Sequence, residues 1–214
     1  MKLSKQKIFL IIIISFAFLI GCSRNKSYIE DYEYGLLYTS NSGSVVSLYD
    51  KQGENLGEKN LNVSGITFGS FMKNGIEVKD KLYYAAPLAG SNQQDFVVEM
   101  DKDKLSVSKI KSTGVTPTFF SSDGKYTFSG ISSLNNSQII KTDIEKNKVI
   151  GTNELEGQGI NMIEDGNQLY ILSINHNDSG KSTSGNLYTI DKSSFKVLNK
   201  IVVEDISFTC DMAK

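Results

Sequence analysis

The chain has 214 residues, with 23 Lys and Arg against 24 Asp and Glu, so its formal net charge at pH 7 is −1. A near-neutral chain without an evident basic patch argues against nucleic acid as a partner. The length suits one domain with a sizeable core. The count of 18 Gly against 2 Pro indicates many turns, which is typical of a compact all-β domain.

The N-terminus has the pattern of a secretory leader. Three lysines precede an apolar run at residues 8–20, which is shorter than the ~20 residues of a comfortable membrane span. A positive start followed by a short apolar run is typical of a signal peptide. An uncleaved N-terminal anchor is the alternative. Either interpretation predicts that the body of the protein lies outside the cytoplasmic membrane.

The leader ends in Leu-Ile-Gly-Cys at residues 19–22, which resembles the lipobox of bacterial lipoproteins. That resemblance implies that Cys22 receives a diacylglyceryl lipid, with palmitate as an expected acyl group, and becomes the mature N-terminus. It predicts a signal peptide at residues 1–21, a lipidated tether at residues 22–34, and a body anchored at the extracytoplasmic face of the cell membrane.

Beyond the tether, short runs rich in Val, Ile, Tyr, Phe and Thr alternate with Gly, Asn, Asp and Ser, which predicts strands and turns. An apolar or aromatic triplet recurs, starting at residues 37, 82, 126 and 169. A period of roughly 44 residues with four strands per copy is the spacing of β-propeller blades. Because one blade cannot bury both faces alone, stacked copies share a core.

We therefore predict an all-β propeller domain over residues 35–214, built of about four antiparallel four-stranded blades. The predicted units are residues 35–72, 80–120, 123–163 and 166–212. The second strand of each unit ends in an aspartate: Asp50, Asp101, Asp143 and Asp191. These aspartates are predicted to accept backbone N–H bonds from the following turn, and not to be catalytic acids. A fourth apolar piece is predicted to close each unit: residues 65–71, 116–120, 159–163 and 206–212.

The units are similar to the YVTN-type, or surface-layer-type, β-propeller repeats of secreted proteins. Residues 117–126, PTFFSSDGKY, are similar to that family's opening turn, and residues 137–150, SQIIKTDIEKNKVI, to its strand–Asp–turn–strand segment. The YVTN tetrapeptide itself is absent. Such repeats specify a fold better than a function. The chain has room for four blades, as a closed four-bladed ring or as an open or truncated propeller.

The sequence contains no arrangement of residues that is typical of a catalytic site. The single histidine, His176, stands in a polar segment at residues 175–185, which we interpret as a loop inserted in the fourth unit. That segment lacks the calcium-loop pattern, so no metal and no cofactor are predicted. Cys210 lies in an apolar stretch and is predicted to be a buried small hydrophobe. With Cys22 lipidated, no disulfide is expected.

The sequence therefore favours a non-catalytic binding or scaffold lipoprotein, held on the membrane through its lipid, with a protein, peptide or glycan as ligand. Two alternatives stay open: a propeller enzyme of the lactonase or hydrolase kind, and a truncated remnant of a larger propeller protein. A binding site is expected where the copies differ, above all at residues 85–95 and 175–185.

Overall fold

The computed structural model describes residues 32–40, 43–63, 75–85, 96–112, 117–177 and 179–204. The signal peptide, Cys22, Cys210 and most of residues 85–95 lie outside them, as do the predicted strand pieces at residues 65–71 and 206–212. The described residues form fifteen β-strands and no helix. None of them forms a helical segment of the length and apolarity that crossing a bilayer demands.

The strands form four antiparallel sheets in chain order. The first sheet contains β1 (Tyr34–Thr39), β2 (Ser44–Tyr49) and β3 (Asn55–Leu61). The second contains β4 (Ile76–Val78), β5 (Lys81–Ala85), β6 (Phe96–Asp101) and β7 (Val107–Lys111). The third contains β8 (Phe119–Ser122), β9 (Tyr126–Ser132), β10 (Asn136–Asp143) and β11 (Lys148–Glu156). The fourth contains β12 (Gln158–Asp165), β13 (Gln168–His176), β14 (Ser182–Asp191) and β15 (Lys196–Glu204).

The all-β class and the four successive antiparallel sheets confirm the predicted architecture, but the predicted units begin one strand too late. Residues 116–120 and 159–163 were expected to close their units. Instead β8 pairs with β9, with Phe119 opposite Gly130, and β12 pairs with β13. The reason is local: a tight turn favours antiparallel pairing with the next strand. These strands therefore open the third and fourth sheets.

The sheets stack face to face, each against the next along the chain. We call the face that a sheet turns toward its successor the front face, and the opposite face the back face. Of the apolar clusters that the described residues form, the one in the seam between the third and fourth sheets has the most buried residues, and in it Phe128 and Ile139 of one sheet pack on Ile171 and Ile190 of the other. The rings of Phe128 and Phe195 lie 6.2 Å apart between centroids.

Each of the other two seams also joins the front face of one sheet to the back face of the next. Val46 and Leu48 of the first sheet join Val98 and Met100 of the second in one buried cluster. Tyr83 of the second sheet is clustered with Phe120 of the third. Because alternate residues of a strand point to opposite faces, each inner sheet contributes to two seams. The described stack is thus a run of four sheets with two terminal faces.

Candidate functional site

The stack has two unlike ends. At one end, which we call the Asp-turn end, the first strand of a four-stranded sheet turns into the second and the third turns into the fourth; the β2–β3 turn of the three-stranded first sheet also lies at this end. At the other, the hairpin end, the second strand turns into the third and one sheet passes to the next. The connections at the hairpin end vary most between copies: residues 62–75, 112–118 and 157 between sheets, and residues 86–95, 133–135 and 177–181 within them. Sequence variation is thus concentrated at one end of the stack.

The aspartates of the Asp-turn end work as the sequence predicted. Asp50 accepts hydrogen bonds from the backbone N–H groups of Gln52 and Glu54, at 2.9 and 2.8 Å. The corresponding bonds of Asp101, Asp143 and Asp191 reach the residue three positions on, at 2.8, 2.9 and 2.6 Å. Because these carboxylates stabilise their own turns, the prediction that they are turn formers is confirmed.

A buried ion cluster that the sequence analysis missed lies at this end of the third–fourth seam. The ammonium of Lys192, which is buried, lies 2.9 Å from Oδ2 of Asp123 and 2.8 Å from Oε2 of Glu164. Asp123 belongs to the third sheet's opening turn, whereas the other two residues belong to the fourth sheet. The cluster therefore ties two sheets together by charge. The only sequence feature that indicated this cluster was the position of Lys192 directly after the turn aspartate Asp191.

The pKa directions in the cluster follow from its geometry. Burial alone would lower the pKa of Lys192, but its hydrogen bonds to Glu164 and Asp123 outweigh burial and raise that pKa. Burial alone would raise the pKa of Asp123, but the N–H of Tyr126 and the Lys192 ammonium outweigh it and lower that pKa. Both groups therefore keep their charges near neutral pH. Lys192 and Asp123 therefore form an ion pair that joins the third and fourth sheets.

A second charged group is buried in the second sheet. The carboxylate of Glu99 accepts hydrogen bonds from Lys81 at 2.5 Å and from the Tyr83 hydroxyl at 2.9 Å. Burial and the hydrogen bond to Glu99 raise the pKa of Tyr83, so its phenol stays protonated. This arrangement also satisfies the charge of Glu99 internally and leaves no activated nucleophile at that position.

The hairpin end of the fourth sheet gathers uncharged hydrogen-bonding side chains. The amide of Asn186 donates to Asn175 Oδ1 at 3.1 Å and to the Ser173 hydroxyl at 3.4 Å. Asn175 in turn donates to the Ser184 hydroxyl at 3.1 Å. We call these four residues, together with His176 and Gln158, the amide cluster. Its members are amides, hydroxyls and an imidazole, groups that bind neutral polar ligands by hydrogen bonds.

Gly157 brings two sheets together beside the amide cluster. It is the single residue between β11 and β12, and its φ of 84° is one that few side-chain-bearing residues adopt. A Cβ there would lie 2.7 Å from both Asn175 Oδ1 and Ser173 Oγ. Its carbonyl accepts a hydrogen bond from the Ser137 hydroxyl at 2.7 Å. The amide cluster is therefore fixed to the third sheet as well.

His176 completes the cluster, although its segment is not the inserted loop that we predicted. Residues 175–185 are mostly paired, since Asn175 stands opposite Ser184 and His176 opposite Ser182. The segment is thus an extension of the β13–β14 hairpin, with a register shift between Asn175 and His176. His176 Nε2 lies 2.9 Å from Gln158 Oε1, and its Nδ1 lies 3.2 Å from the Gly180 carbonyl oxygen.

The described residues contain no group of three or more His, Cys, Asp or Glu side chains that could hold a metal ion. The lipid attachment at Cys22 and the variable segment at residues 86–95 fall outside the described part of the chain, so those predictions stay as they were. What the described chain does bring together is a satisfied ion cluster at one end of a seam and, at the other, a partly exposed cluster of amides, hydroxyls and one imidazole.

Comparison with known proteins concerns the fold. No family model matches the chain, and no curated protein matches it. Among solved structures, the hydrazine synthase of Kuenenia stuttgartiensis is 17% identical, with a TM-score of 0.49 over 84% of this chain and 53% of that one. Dihydro-heme d1 dehydrogenase NirN, in complex with DHE, is 15% identical, with a TM-score of 0.52 over 79% of this chain and 35% of that one.

The structure titled as the Dos1 propeller is 12% identical, with a TM-score of 0.50 over 81% of this chain and 45% of that one. The chain thus spans about half, or less, of the length of these structures. Together with the four stacked antiparallel sheets, the likeness to the Dos1 propeller shows a β-propeller fold whose described sheets do not close into a ring. The lipoprotein and YVTN-type resemblances stay predictions.

Proposed function

We propose that this chain is a lipoprotein anchored at the extracytoplasmic face of the membrane, whose propeller sheets bind a neutral polar ligand, a glycan or a peptide, without catalysis. The observation that carries the proposal is the contrast between the two ends. The buried charged side chains at the Asp-turn end already satisfy one another, whereas the amide cluster stands among the connections that differ between copies. Variation around a rigid scaffold is typical of binding sites.

The chemistry of the amide cluster suits such a ligand. Asn, Gln and Ser side chains both donate and accept hydrogen bonds, so they match sugar hydroxyls and peptide groups without requiring an opposite charge. Burial of Ser173 and Asn186 fixes the base of the cluster, while His176 and Ser184 are partly exposed. Preorganised groups lose less entropy when a ligand binds. The exposed members are therefore the residues that would touch the ligand.

Binding is tested with the full chain in mild detergent against neutral oligosaccharides and uncharged peptides, by calorimetry. A ligand from these two panels should bind, and the His176→Ala and Ser184→Ala variants should each weaken it about tenfold, which is the loss of one good hydrogen bond. Lys148→Ala, at the other end of the third sheet, is the matched control and should bind as the parent does. Absence of binding across both panels would contradict the proposal.

Anchoring is tested separately in a bacterial host. A Cys22→Ala variant should leave the membrane fraction and appear in the soluble extracytoplasmic fraction, because a lipid chain supplies the membrane affinity. Cys210→Ala should stay with the membrane. If the Cys22 variant is retained like the Cys210 variant, the body is held by another means and the lipid anchor is rejected.

A further inference from the structure

The hairpin tip of the third sheet carries the same kinds of side chain as the amide cluster. Residues 132–137, Ser-Ser-Leu-Asn-Asn-Ser, run from the end of β9 to the start of β10 and contain no charged residue. We call them the third-sheet tip. Asn135 and Asn136 are exposed, and among the described residues neither side-chain amide has a hydrogen-bond partner. Both amides are therefore available to donate and accept hydrogen bonds with a ligand.

The third-sheet tip and the amide cluster form one continuous surface. Gly157, the single residue between the two sheets, donates its N–H to the Asn135 carbonyl at 2.7 Å. The Ser132 hydroxyl donates to the Gly159 carbonyl at 2.9 Å, which joins the same tip to β12. On its other side, Gly157 packs closely against Asn175 of the amide cluster. A ligand that extends from the amide cluster toward the third sheet would therefore meet the third-sheet tip.

The backbone at both hairpin tips is already paired, which argues against a peptide bound as an added strand. In the third-sheet tip, Ser133 donates its N–H to the Asn136 carbonyl at 2.8 Å. In the β13–β14 hairpin, Asn177 donates to the Lys181 carbonyl at 3.0 Å, and Gly180 donates to the Asn177 carbonyl at 2.8 Å. Strand addition needs a row of free backbone groups. The tips offer side-chain amides and hydroxyls instead, which match the many hydroxyls of a sugar chain.

The charge of this surface favours a neutral sugar chain. Residues 132–137 and 175–186 together contain two formally charged residues, Asp178 and Lys181, whose charges are opposite. The Asp-turn end of the same sheets is richer in charge, as in Asp-Ile-Glu-Lys-Asn-Lys at residues 143–148. A surface without net charge does not attract an acidic or a basic polymer. The ligand class that fits both tips is therefore a neutral glycan.

We propose that the ligand is a neutral polysaccharide, one chain of which lies across the amide cluster and the third-sheet tip together. The proposal rests on the binding function proposed above and makes its ligand specific: a glycan and not a peptide, and a chain of several sugar units. Two linked contacts bind more tightly than either contact alone, because the second one forms within the complex. The length of the sugar chain should therefore determine the affinity.

The first test measures how the affinity depends on the length of the sugar chain. Disaccharides and hexasaccharides of glucose and of N-acetylglucosamine are titrated into the full chain in mild detergent, by calorimetry. We expect the hexasaccharide of one series to bind at least about tenfold more tightly than its disaccharide. Equal affinities, or binding of uncharged peptides without binding of either sugar series, would overturn the polysaccharide and leave the proposed binding function in place. Absence of all binding would contradict both.

The second test separates the two contacts. A variant with both Asn135→Ala and Asn136→Ala should weaken the hexasaccharide about tenfold and leave the disaccharide unchanged, because the shorter sugar fits the amide cluster alone. His176→Ala should weaken both sugars. Asn60→Ala, at an exposed position of β3 in the first sheet, is the matched control and should weaken neither. Circular dichroism verifies that each variant is folded. If the double variant weakens both sugars equally, or neither, the third-sheet tip is not a second contact and the proposal is wrong.

Discussion

The third–fourth seam and the second–third seam have the same geometry but different contents. In the third–fourth seam, the back face of the fourth sheet offers Leu169 and Ile171. In the second–third seam, the back face of the third sheet offers Thr127 and Ser129 at the same two positions, equally buried. Within the described part of the chain, the hydroxyls of Thr127 and Ser129 have no hydrogen-bond partner. The same two strand positions are thus apolar in one seam and polar in the other.

This difference indicates that the two seams contribute unequally to the stability of the fold. Burying a Leu or Ile side chain stabilises a fold by about 1.5–3 kcal/mol. Burying an unpaired hydroxyl instead costs about 1–3 kcal/mol. The third–fourth seam, which also holds the Lys192 ion cluster, is therefore the stronger of the two. The amide cluster stands at its hairpin end, so the candidate site is mounted on the stronger of these two seams.

The largest effect is expected from emptying the stronger seam. Phe128→Ala removes a fully buried ring that packs on Phe195, and should lower the free energy of unfolding by about 3–5 kcal/mol. Leu134→Ala, at an exposed turn, should change it by less than about 0.5 kcal/mol. Urea unfolding of both variants measures the difference. Equal losses would remove the basis for calling this seam the stronger one.

The ion cluster of the same seam should give the next effect. Lys192→Met leaves Asp123 and Glu164 without their shared cation, and should cost about 3 kcal/mol of unfolding free energy. Lys148→Met, at an exposed position, provides the matched comparison and should be nearly neutral. Thermal and urea unfolding report the difference, and a Lys192 variant as stable as the Lys148 variant would show that the cluster contributes nothing.

The weaker seam should respond in the opposite direction. Thr127→Val replaces an unpaired buried hydroxyl with a methyl group and should stabilise the protein by about 1 kcal/mol. The matched variant is Thr142→Val, at the residue opposite Thr127 in the strand register. Its hydroxyl donates to the Lys111 carbonyl at 2.9 Å, so its loss should destabilise by about 1 kcal/mol. If urea unfolding shows that both variants change the free energy of unfolding in the same direction, the proposed difference between a paired and an unpaired hydroxyl is wrong.

Acid should produce the smallest effect per site. Hydrogen bonds from Ser194 lower the pKa of Asp191, and those from Lys146 lower that of Asp143 despite burial. A carboxyl whose folded pKa is depressed adds stability above its unfolded pKa of about 3.9 and loses it as pH falls through the folded pKa. Stability should therefore decline below about pH 4. Asp191→Asn should flatten that decline in unfolding curves at pH 7 and pH 3, and an unchanged slope would contradict the assignment.

The sequence predicted the repeat and its turns because those depend on local pattern. The turn aspartates were placed correctly, since each accepts bonds within its own turn. The phase of the sheets was not predictable from spacing, because a strand such as β8 obeys the same period whether it closes one unit or opens the next. Only the hydrogen-bond pairing of β8 with β9 across the Asp123 turn shows that β8 opens the third sheet.

The candidate site was predictable only in part. Residues 175–185 were singled out because they lengthen one copy, and His176 does stand in the amide cluster. Burial of Lys192 and Glu99 was not foreseen, because a period of roughly 44 residues marks strands and not the partners that a side chain meets across a seam. The role of Gly157 was not foreseen either. Its positive φ is required only because a single residue connects β11 to β12.

We expect the third–fourth seam, which holds the most buried apolar residues and the Lys192 ion cluster, to be the most stable part of the described chain and to support the candidate site. Native-state hydrogen exchange with mass spectrometry tests it most directly. We predict that the amides of Phe128, Ile139 and Ile171 exchange only through global unfolding, and more slowly than those of Val46 and Tyr83 in the first two sheets. Equal protection throughout, or stronger protection in the first two sheets, would contradict the account.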